Sequence, residues 1–534
     1  MMHRSLFKEG IAARWLAAAA LLLSLGMVVG LLAVVSTVAG RAFWPKPLVQ
    51  LELASGEKLL GEVWTREPDP HNPGYERWRL KTGNRELRGQ DFVWVPKAAV
   101  VARQAPPGAW LLERSEYGNA YGFPAELRLP ERIIAASDDR FSKALEAAME
   151  RGRKLAAEER ALLKRLSALH EPVVKYSARA EGAKSERRRQ IALEALQGAR
   201  RHEEEHAPPL LERLAEVRRL AEDTTLTMPT VTGEDISVPV AGLVRAVPVN
   251  TLSLRERVAL YLSRWWEFLS AEPREANTEG GIFPALFGTA LMVFLMTFAV
   301  VPLGVVTAVY LNEYAGGGVF TRAVRLALAN LAGVPSIVFG TFGLAFFVYA
   351  VGGSIDRLFF ADTLPTPTFG TGGILWASLT LALLTVPVVV VATEEGLQSV
   401  PDATRDGARA LGATRWQTLR HVVLPYAAPG ILTGTILAVA RAAGEVAPLM
   451  LTGVVKLAPT LPLDGTPPYL HLERKFMHLG FHIYDVGFQS PNVEAAKPMV
   501  YATTLVLLVL VVVLNLVAIA LRARLRRRLS RSAV

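Results

Sequence analysis

Six stretches of the chain stay apolar for the roughly 20 residues that a helix needs to cross a bilayer, at about 15–39, 284–311, 326–351, 372–393, 428–453 and 499–521. Between the first two lies a long polar block, 41–283, with a different rhythm. Its first part, 46–132, alternates apolar and polar positions and is punctuated by turn residues, as in LVQLELASGEKLLGEVW with its Ser55-Gly56 turn, and this predicts short strands. From 137 to 222 the composition turns to Ala, Leu, Glu and Arg. Phe141, Ala148, Leu155, Leu162 and Leu169 recur every seven residues with Leu145 and Leu166 between them, while Gly152 and Glu159 interrupt the second seam. Pro172 predicts the end of that helix, and a second apolar series, Leu210, Leu214, Val217 and Ala221, follows Pro208-Pro209. The pattern predicts an antiparallel helical hairpin rather than a long coiled coil. Residues 226–249 read as strands returning beside the first set, and 254–269 as an amphipathic helix approaching the bilayer. The fold class expected is an all-α polytopic membrane protein of six transmembrane helices, interrupted by an α+β insert that contains a helical hairpin.

Charge separates the same two regions. Of 108 charged residues, 74 fall in 41–283 and only 24 in 284–521, so the block is built for water and the remainder for lipid. Of the net charge of +10, +8 sits at the ends. Arg4, Lys8 and Arg14 precede the first span, and Arg522, Arg524, Arg526, Arg527, Arg528 and Arg531 follow the last. Basic ends around an even number of spans place both termini in the cytoplasm of an inner membrane and the 41–283 block outside it. A nucleic-acid partner would need a basic face on a folded domain, and none is indicated. The first apolar core, about 25 residues, exceeds the 7–15 of a cleaved signal, so it is read as an anchor. The divisions expected are 1–40 (tail and first span), 41–283 (insert), 284–521 (core) and 522–534 (basic tail). Zero cysteines exclude disulfides, thiolate metal sites and a cysteine nucleophile. The runs RRR at 187–189 and EEE at 203–205 are read as solvated helix surface.

Three constellations could carry chemistry. In the loop 394–425, Asp406, Gly407 and Ala408 are followed after three residues by Gly412, after nine more by Val422, and then by Leu424-Pro425. Small residues allow close approach, a glycine allows a sharp turn, and Pro425 is expected to end the second helix, which describes a compact helix-turn-helix shaped to dock. Within the fifth span, Arg441 and Glu445 stand four apart, at a depth where one charge costs about 2.5–3.5 kcal/mol. Arg441 could offer a guanidinium fork to an oxyanion with Glu445 orienting or partly neutralising it; the competing reading is a structural ion pair against a partner helix. In 454–498, His471, His478 and His482 lie near Glu473 and Asp485. These are read as solvated loop histidines, with no metal and no cofactor. No GxxxxGK[ST] loop occurs, the nearest string being GAKS at 182–185, so the chain is not expected to hydrolyse ATP.

The 394–425 loop resembles the coupling loop of ABC importer permeases, EAA, three residues, G, nine residues, I, one residue, LP, with Asp406 in the glutamate position and Gly407 in an alanine position. NTEGG at 277–281, YLNEY at 310–314, GVPSIVFG at 333–340 and RAAGEVAPLM at 441–450 are similar to strings of the PstA-type permease of the phosphate-specific (Pst) importer, in the expected order. The resemblance implies a MetI-like core and a phosphate-transport subunit rather than an enzyme. It further implies ATPase coupling through Asp406, Gly407, Ala408, Gly412, Leu424 and Pro425, and a substrate pathway past Arg441 and Glu445. The partners implied are a PstC-type second permease, a PstB-type ATPase, a PstS-type binding protein and the lipid bilayer. The insert is absent from short family members and falls outside the resemblance. Two alternatives stand beside this reading: a permease for another oxyanion such as sulfate or molybdate, and a membrane-anchored scaffold or sensor on a transporter core.

Overall fold

The computed structural model describes residues 11–70, 74–183, 185–364, 366–490 and 493–531. Among these, six helices are long and apolar enough to cross a membrane: Ala13–Ala42, Phe283–Tyr314, Ser336–Phe359, Ile374–Gln398, Arg415–Gly444 and Ala495–Arg524. They are called the first to sixth spans. The fourth is the axis of the bundle, packed by the second and fifth, and it is the most buried of the six. Met292, Met296, Leu381, Val389, Ala438 and Ala442 from these three helices form one core. The third span differs from its expected bounds. Residues 319–331 form a separate amphipathic helix, and the span begins only after Pro335, because a residue before proline is driven out of the helical region. Arg4 and Lys8 lie outside the described residues, as do the side chains of Arg526, Arg527, Arg528 and Arg531.

The insert, joining the first and second spans, has among the described residues three larger sheets and a two-stranded one that pairs Pro273–Arg274 with Glu279–Gly280. One has the order β4-β3-β2-β1-β5, built from Leu48–Leu53 (β1), Lys58–Pro68 (β2), Glu76–Lys81 (β3), Phe92–Pro96 (β4) and Val100–Gln104 (β5). The second, β12-β6-β7, uses Trp110–Arg114 (β6), Ala120–Gly122 (β7) and Leu243–Val247 (β12). The third, β11-β10-β8-β9, uses Glu126–Arg128 (β8), Ile133–Ala135 (β9), Thr225–Pro229 (β10) and Asp235–Pro239 (β11). The late strands therefore return beside the early ones, as their sequence suggests. Leu112, Leu127, Leu226 and Val238 make a core that also takes Phe141 and Leu145 from the root of the hairpin.

The hairpin consists of Phe141–Gly182 and Glu186–Glu222. Leu155, Leu162 and Leu166 meet Leu210, Leu214 and Val217 across it, and Glu158–Arg213 (2.8 Å), Glu159–Arg218 (2.7 Å) and His170–Glu203 (2.8 Å) fix an antiparallel register. Neither helix stops where proline predicted: the first continues through Pro172, and the second starts at Glu186 and contains Pro208 and Pro209. A proline inside a helix removes one ladder hydrogen bond and costs about 3 kcal/mol, which packing along a two-helix interface of this length offsets. Gly152, which breaks the apolar seam, sits against the Ala241 backbone, where an added Cβ would lie 2.7 Å from its Cα. At the far end an added Cβ on Gly182 would lie 2.4 Å from the carbonyl oxygen of Leu364. The hairpin thus runs from the sheets to the loop that follows the third span.

The insert is fixed to the membrane end of the chain by buried charges. Glu113 on β6 accepts from Arg264 (2.9 Å from Nε) and Arg245 (2.8 Å); Arg245 also pairs with Glu267, and Arg274 donates to Glu267 at 2.7 Å. Arg264 further donates to the carbonyl of Phe43, just beyond the first span. Burial would raise the Glu113 carboxyl, but Arg264 and Arg245 override it and hold it down to about 2. A carboxyl held below its ordinary 4.5 stabilises the fold fully above that pH, and the stabilisation is lost as pH falls from about 4.5 towards 2.

Two outcomes follow for purified full-length chain. Gly152→Val should destabilise the insert by about 1–3 kcal/mol in denaturant unfolding, because the backbone of Ala241 cannot retreat as a flexible side chain would. Acid titration should lower its thermal stability between about pH 4.5 and 2, and Glu113→Gln should flatten that dependence; an unchanged acid limb would show that the network does not hold the junction.

Candidate functional site

The fifth span is one continuous helix from Arg415 to Gly444 that stops short of its apolar stretch. Glu445 has an extended backbone (φ −81°, ψ 129°), and the chain resumes as a short helix, Ala447–Thr452, with Pro448 in its first turn. Glu445 therefore sits in the break, not on a helix face, while Arg441 occupies the last turn, where a cation offsets the negative end of the helix dipole. Their side chains meet at 3.5 Å and remain partly accessible, 38% for Arg441 and 20% for Glu445. The pair faces away from the chain's own core, of which Ala442 and Ala443 form part. GVPSIVFG explains how the broken end is held: an added Cβ on Gly340 would lie 2.7 Å from Pro448 Cα, so only glycine lets the third span cross the short helix at this distance.

The 394–425 loop begins with a helix, Asp402–Ala410, and turns at Gly412, whose φ of +87° is a left-handed conformation that costs glycine little. Thr414 and Gln417 form a capping box that starts the next helix. Leu424 and Pro425 do not end that helix: a wider turn at 419–423 leads directly into Leu424–Gly444, so Pro425 lies inside the continuous helix of the fifth span. Asp406 is 74% exposed, Gly407 and Gly412 face open space, and Ala408 is half-buried. Leu411 at the tip is 91% exposed and Trp416 is also exposed. The loop thus presents an apolar tip flanked by glycines open to solvent.

What positions this loop lies outside the six predicted residues. Arg405, from the loop's first helix, pairs with Glu313 of YLNEY at 2.5 Å and donates to the carbonyl of Leu397 at 2.7 Å, both side chains being largely buried. Charge and spacing within the loop single out Asp406. The informative residue is its neighbour, recognisable only once the end of the second span is seen beside it.

At the other end of the bundle, NTEGG closes the insert onto the core. Asn277, buried with φ +75°, donates to the carbonyl of Lys456 (3.1 Å) and to Asp485 (3.3 Å). Lys456 pairs with Asp485 at 3.1 Å. The three histidines are not solvated. His471 lies buried between Asp464 and Glu473, each at 3.2 Å, and His478 and His482 flank or lie in a short helix, Leu479–Tyr484, packed on the second span. Burial pushes His478 down to about 3 and His482 to about 4, so both are neutral near pH 7. Among the described residues no group of three or more such side chains is placed to hold a metal ion.

A helical membrane bundle with a projecting helix-turn-helix between its fourth and fifth spans is the core of an importer permease. The family model for the binding-protein-dependent transport system inner membrane component matches residues 300–531, which leaves the insert outside it. The chain is 34% identical over 236 residues to the probable phosphate transport system permease protein PstA of Methanocaldococcus jannaschii, covering 43% of this chain and 72% of that one. It is 37% identical over 187 residues to the phosphate transport system permease protein PstA of Mycobacterium leprae, covering 35% and 56%. The chain spans little more than half the length of the first such relatives. Among solved structures, the inward-facing MetNI methionine ABC transporter is similar over 45% of this chain and 94% of that one, at 18% identity and a TM-score of 0.33. The chain belongs to the PstA-type permeases of the binding-protein-dependent transport family.

Removing either partner of the Arg405–Glu313 pair strands a largely buried charge. Glu313→Gln or Arg405→Gln should speed amide hydrogen exchange of Asp402–Ala410 by roughly tenfold or more, with exchange in the fourth span unchanged. Equal exchange in wild type and both variants would show that the pair does not hold the loop.

Proposed function

We propose that this chain is a permease subunit of an ATP-driven inorganic phosphate importer in the bacterial inner membrane. In this reading both termini are cytoplasmic and 41–283 folds outside the cytoplasm. A PstC-type permease completes the pathway, a PstB-type ATPase takes the 394–425 loop, and a PstS-type protein delivers phosphate. The observation that carries it is the accessible Arg441–Glu445 pair at a break in a membrane helix. Phosphate leaving water needs fixed donors, and a guanidinium supplies two parallel N–H bonds to its oxygens. The pair's separation of 3.5 Å is loose for a charge-assisted contact, which leaves the fork free to exchange Glu445 for an anion. Glu445 in turn weakens the hold on the anion, as a site must release what it binds. Support for the ATPase contact comes from the exposed tip at Leu411 and the left-handed turn at Gly412.

Transport of radiolabelled phosphate into vesicles containing the assembled importer tests both ends. Arg441→Lys keeps the charge and loses the fork, so uptake should fall at least about tenfold at wild-type protein levels; Arg441→Ala should abolish it. Competition by sulfate and molybdate reads out the anion class in the same assay. Gly412→Val forces a β-branched residue into a left-handed turn and should uncouple ATP hydrolysis from uptake while the protein still inserts. Normal uptake by Arg441→Ala would move the pathway to the partner permease.

A further inference from the structure

A cavity of about 330 Å³ lies where the insert meets the membrane spans. On one side it is walled by Ala42, Phe43 and Trp44 at the end of the first span and by Pro498 and Met499 near the start of the sixth, and on the other by β2, β3 and the NTEGG turn. It therefore opens at the level where a bilayer's headgroups lie. Aromatic residues crowd the same level: Trp44 meets Tyr261 at 5.6 Å between ring centres and Phe43 meets Trp265 at 4.8 Å, an arrangement typical of a membrane interface.

The charges lining the cavity, six acidic and six basic, fall into two groups by geometry. On one wall the pairs are tight, among them Arg264–Glu113 at 2.5 Å and Arg274–Glu267 at 2.7 Å, and these hold the junction. On the other wall they are loose: Lys81–Glu279 is 3.6 Å and Arg85–Glu275 is 3.8 Å. Lys46 sets its ammonium 3.8 Å above the centre of the Trp64 ring, with that of Lys81 5.6 Å from the same ring. Glu62 and Trp64 lie two apart on β2, and Glu62 stands directly across from Lys81 on β3. Two ammonium groups and two carboxylates thus line one wall with the loose Lys81–Glu279 pair between them. Burial lowers Lys46 from the ordinary lysine value and raises Glu279 from the ordinary carboxylate value, so each is short of compensating charge. A ligand that carried both a negative and a positive group would compensate both at once.

We propose that this cavity seats the headgroup of an amine-bearing zwitterionic phospholipid, with its phosphate toward Lys46 and Lys81 and its ammonium toward Glu62 and Glu279. The volume falls in the range of about 300–1,000 Å³ usual for small-molecule sites. The acyl chains enter the bilayer beside the first and sixth spans, whose helices pack on one another and whose outer faces are apolar and exposed. A lipid at this point is held at once by the insert and by two spans, and so ties the insert to the bilayer as well as to the core.

The test is native mass spectrometry of the full chain in detergent, titrated separately with phosphatidylethanolamine, phosphatidylglycerol, soluble glycerophosphoethanolamine and inorganic phosphate. Phosphatidylethanolamine should be retained most strongly. Lys46→Gln/Lys81→Gln should weaken its retention roughly tenfold or more, and Glu62→Gln/Glu279→Gln should erase the preference over phosphatidylglycerol. Lys46→Arg, which preserves charge and the stacking on Trp64, should retain the lipid and so separates lost charge from lost folding. Equal retention of both lipids by the wild type, or unchanged retention in the double variants, would overturn the proposal. Soluble glycerophosphoethanolamine or inorganic phosphate binding as tightly as the lipid would overturn it too, by making the ligand a soluble one.

Discussion

A chain in hydrocarbon has no water to satisfy its backbone, so every place where a span departs from a helix must find its partners inside the protein. Two such places in this core are lined by glycine. The fifth span breaks at Glu445 only where the third span lies close enough, at Gly340, to support the short helix beyond it. The chain before the fourth span crosses Thr452 and Glu473 with no room for a side chain at Gly372 or Gly373, and the Gly373 N–H is satisfied by the carbonyl of Thr452. Gly396 and Gly430 allow the fourth and fifth spans to touch backbone to backbone, which is how helices gain contact when lipid is as apolar as their own side chains.

Charge follows the opposite logic at the two ends of the bundle. At the insert end, Glu113, Arg245, Arg264 and Glu267 are buried together, and their value lies in specificity: each is costly alone, so the sheets can dock on the spans in one orientation. At the other end the largely buried pair Arg405–Glu313 holds one helix of the 394–425 loop, while Asp406, Gly407, Leu411 and Gly412 are exposed. One end is closed by its own charges. The other is only positioned, with the tip of its loop exposed.

The six spans, the strands and the hairpin were legible because burial in lipid, half-burial in a sheet and a two-helix seam each impose their own period. The misread points share a physical cause. Pro172, Pro208 and Pro209 stay inside helices because a long interface offsets a local cost, and Pro425 lies inside the fifth span where it was expected to end a loop helix. His478 and His482 look like loop residues by neighbourhood, yet burial depends on the second span, nearly two hundred residues away in sequence. Of the candidate site, the Arg441–Glu445 pair could be read from spacing, but the helix break between its members could not, since nothing local to RAAGEVAP requires it without Gly340 opposite. Arg405 and Glu313 were each visible as charges, and only the fold makes them a pair.

The hairpin shows how an addition outside the family's common core can still bear on it. Its root is fixed to the sheets at Gly152 and its tip lies against the Leu364 carbonyl at Gly182, thirty residues along one helix. At about 1.5 Å per residue that is a rigid span of roughly 45 Å between two contacts that both exclude a side chain. The first contact moves with the insert, and hence with the end of the first span at Phe43 and the segment after the fifth at Lys456, to which Arg264 and Asn277 tie it. The second belongs to a loop held in shape by Asp356, which accepts from the N–H groups of Phe369 and Gly370, and so moves with the third and fourth spans. A helix pair cannot stretch, so any motion that separates these two groups of spans must either release the tip or carry the whole insert with it.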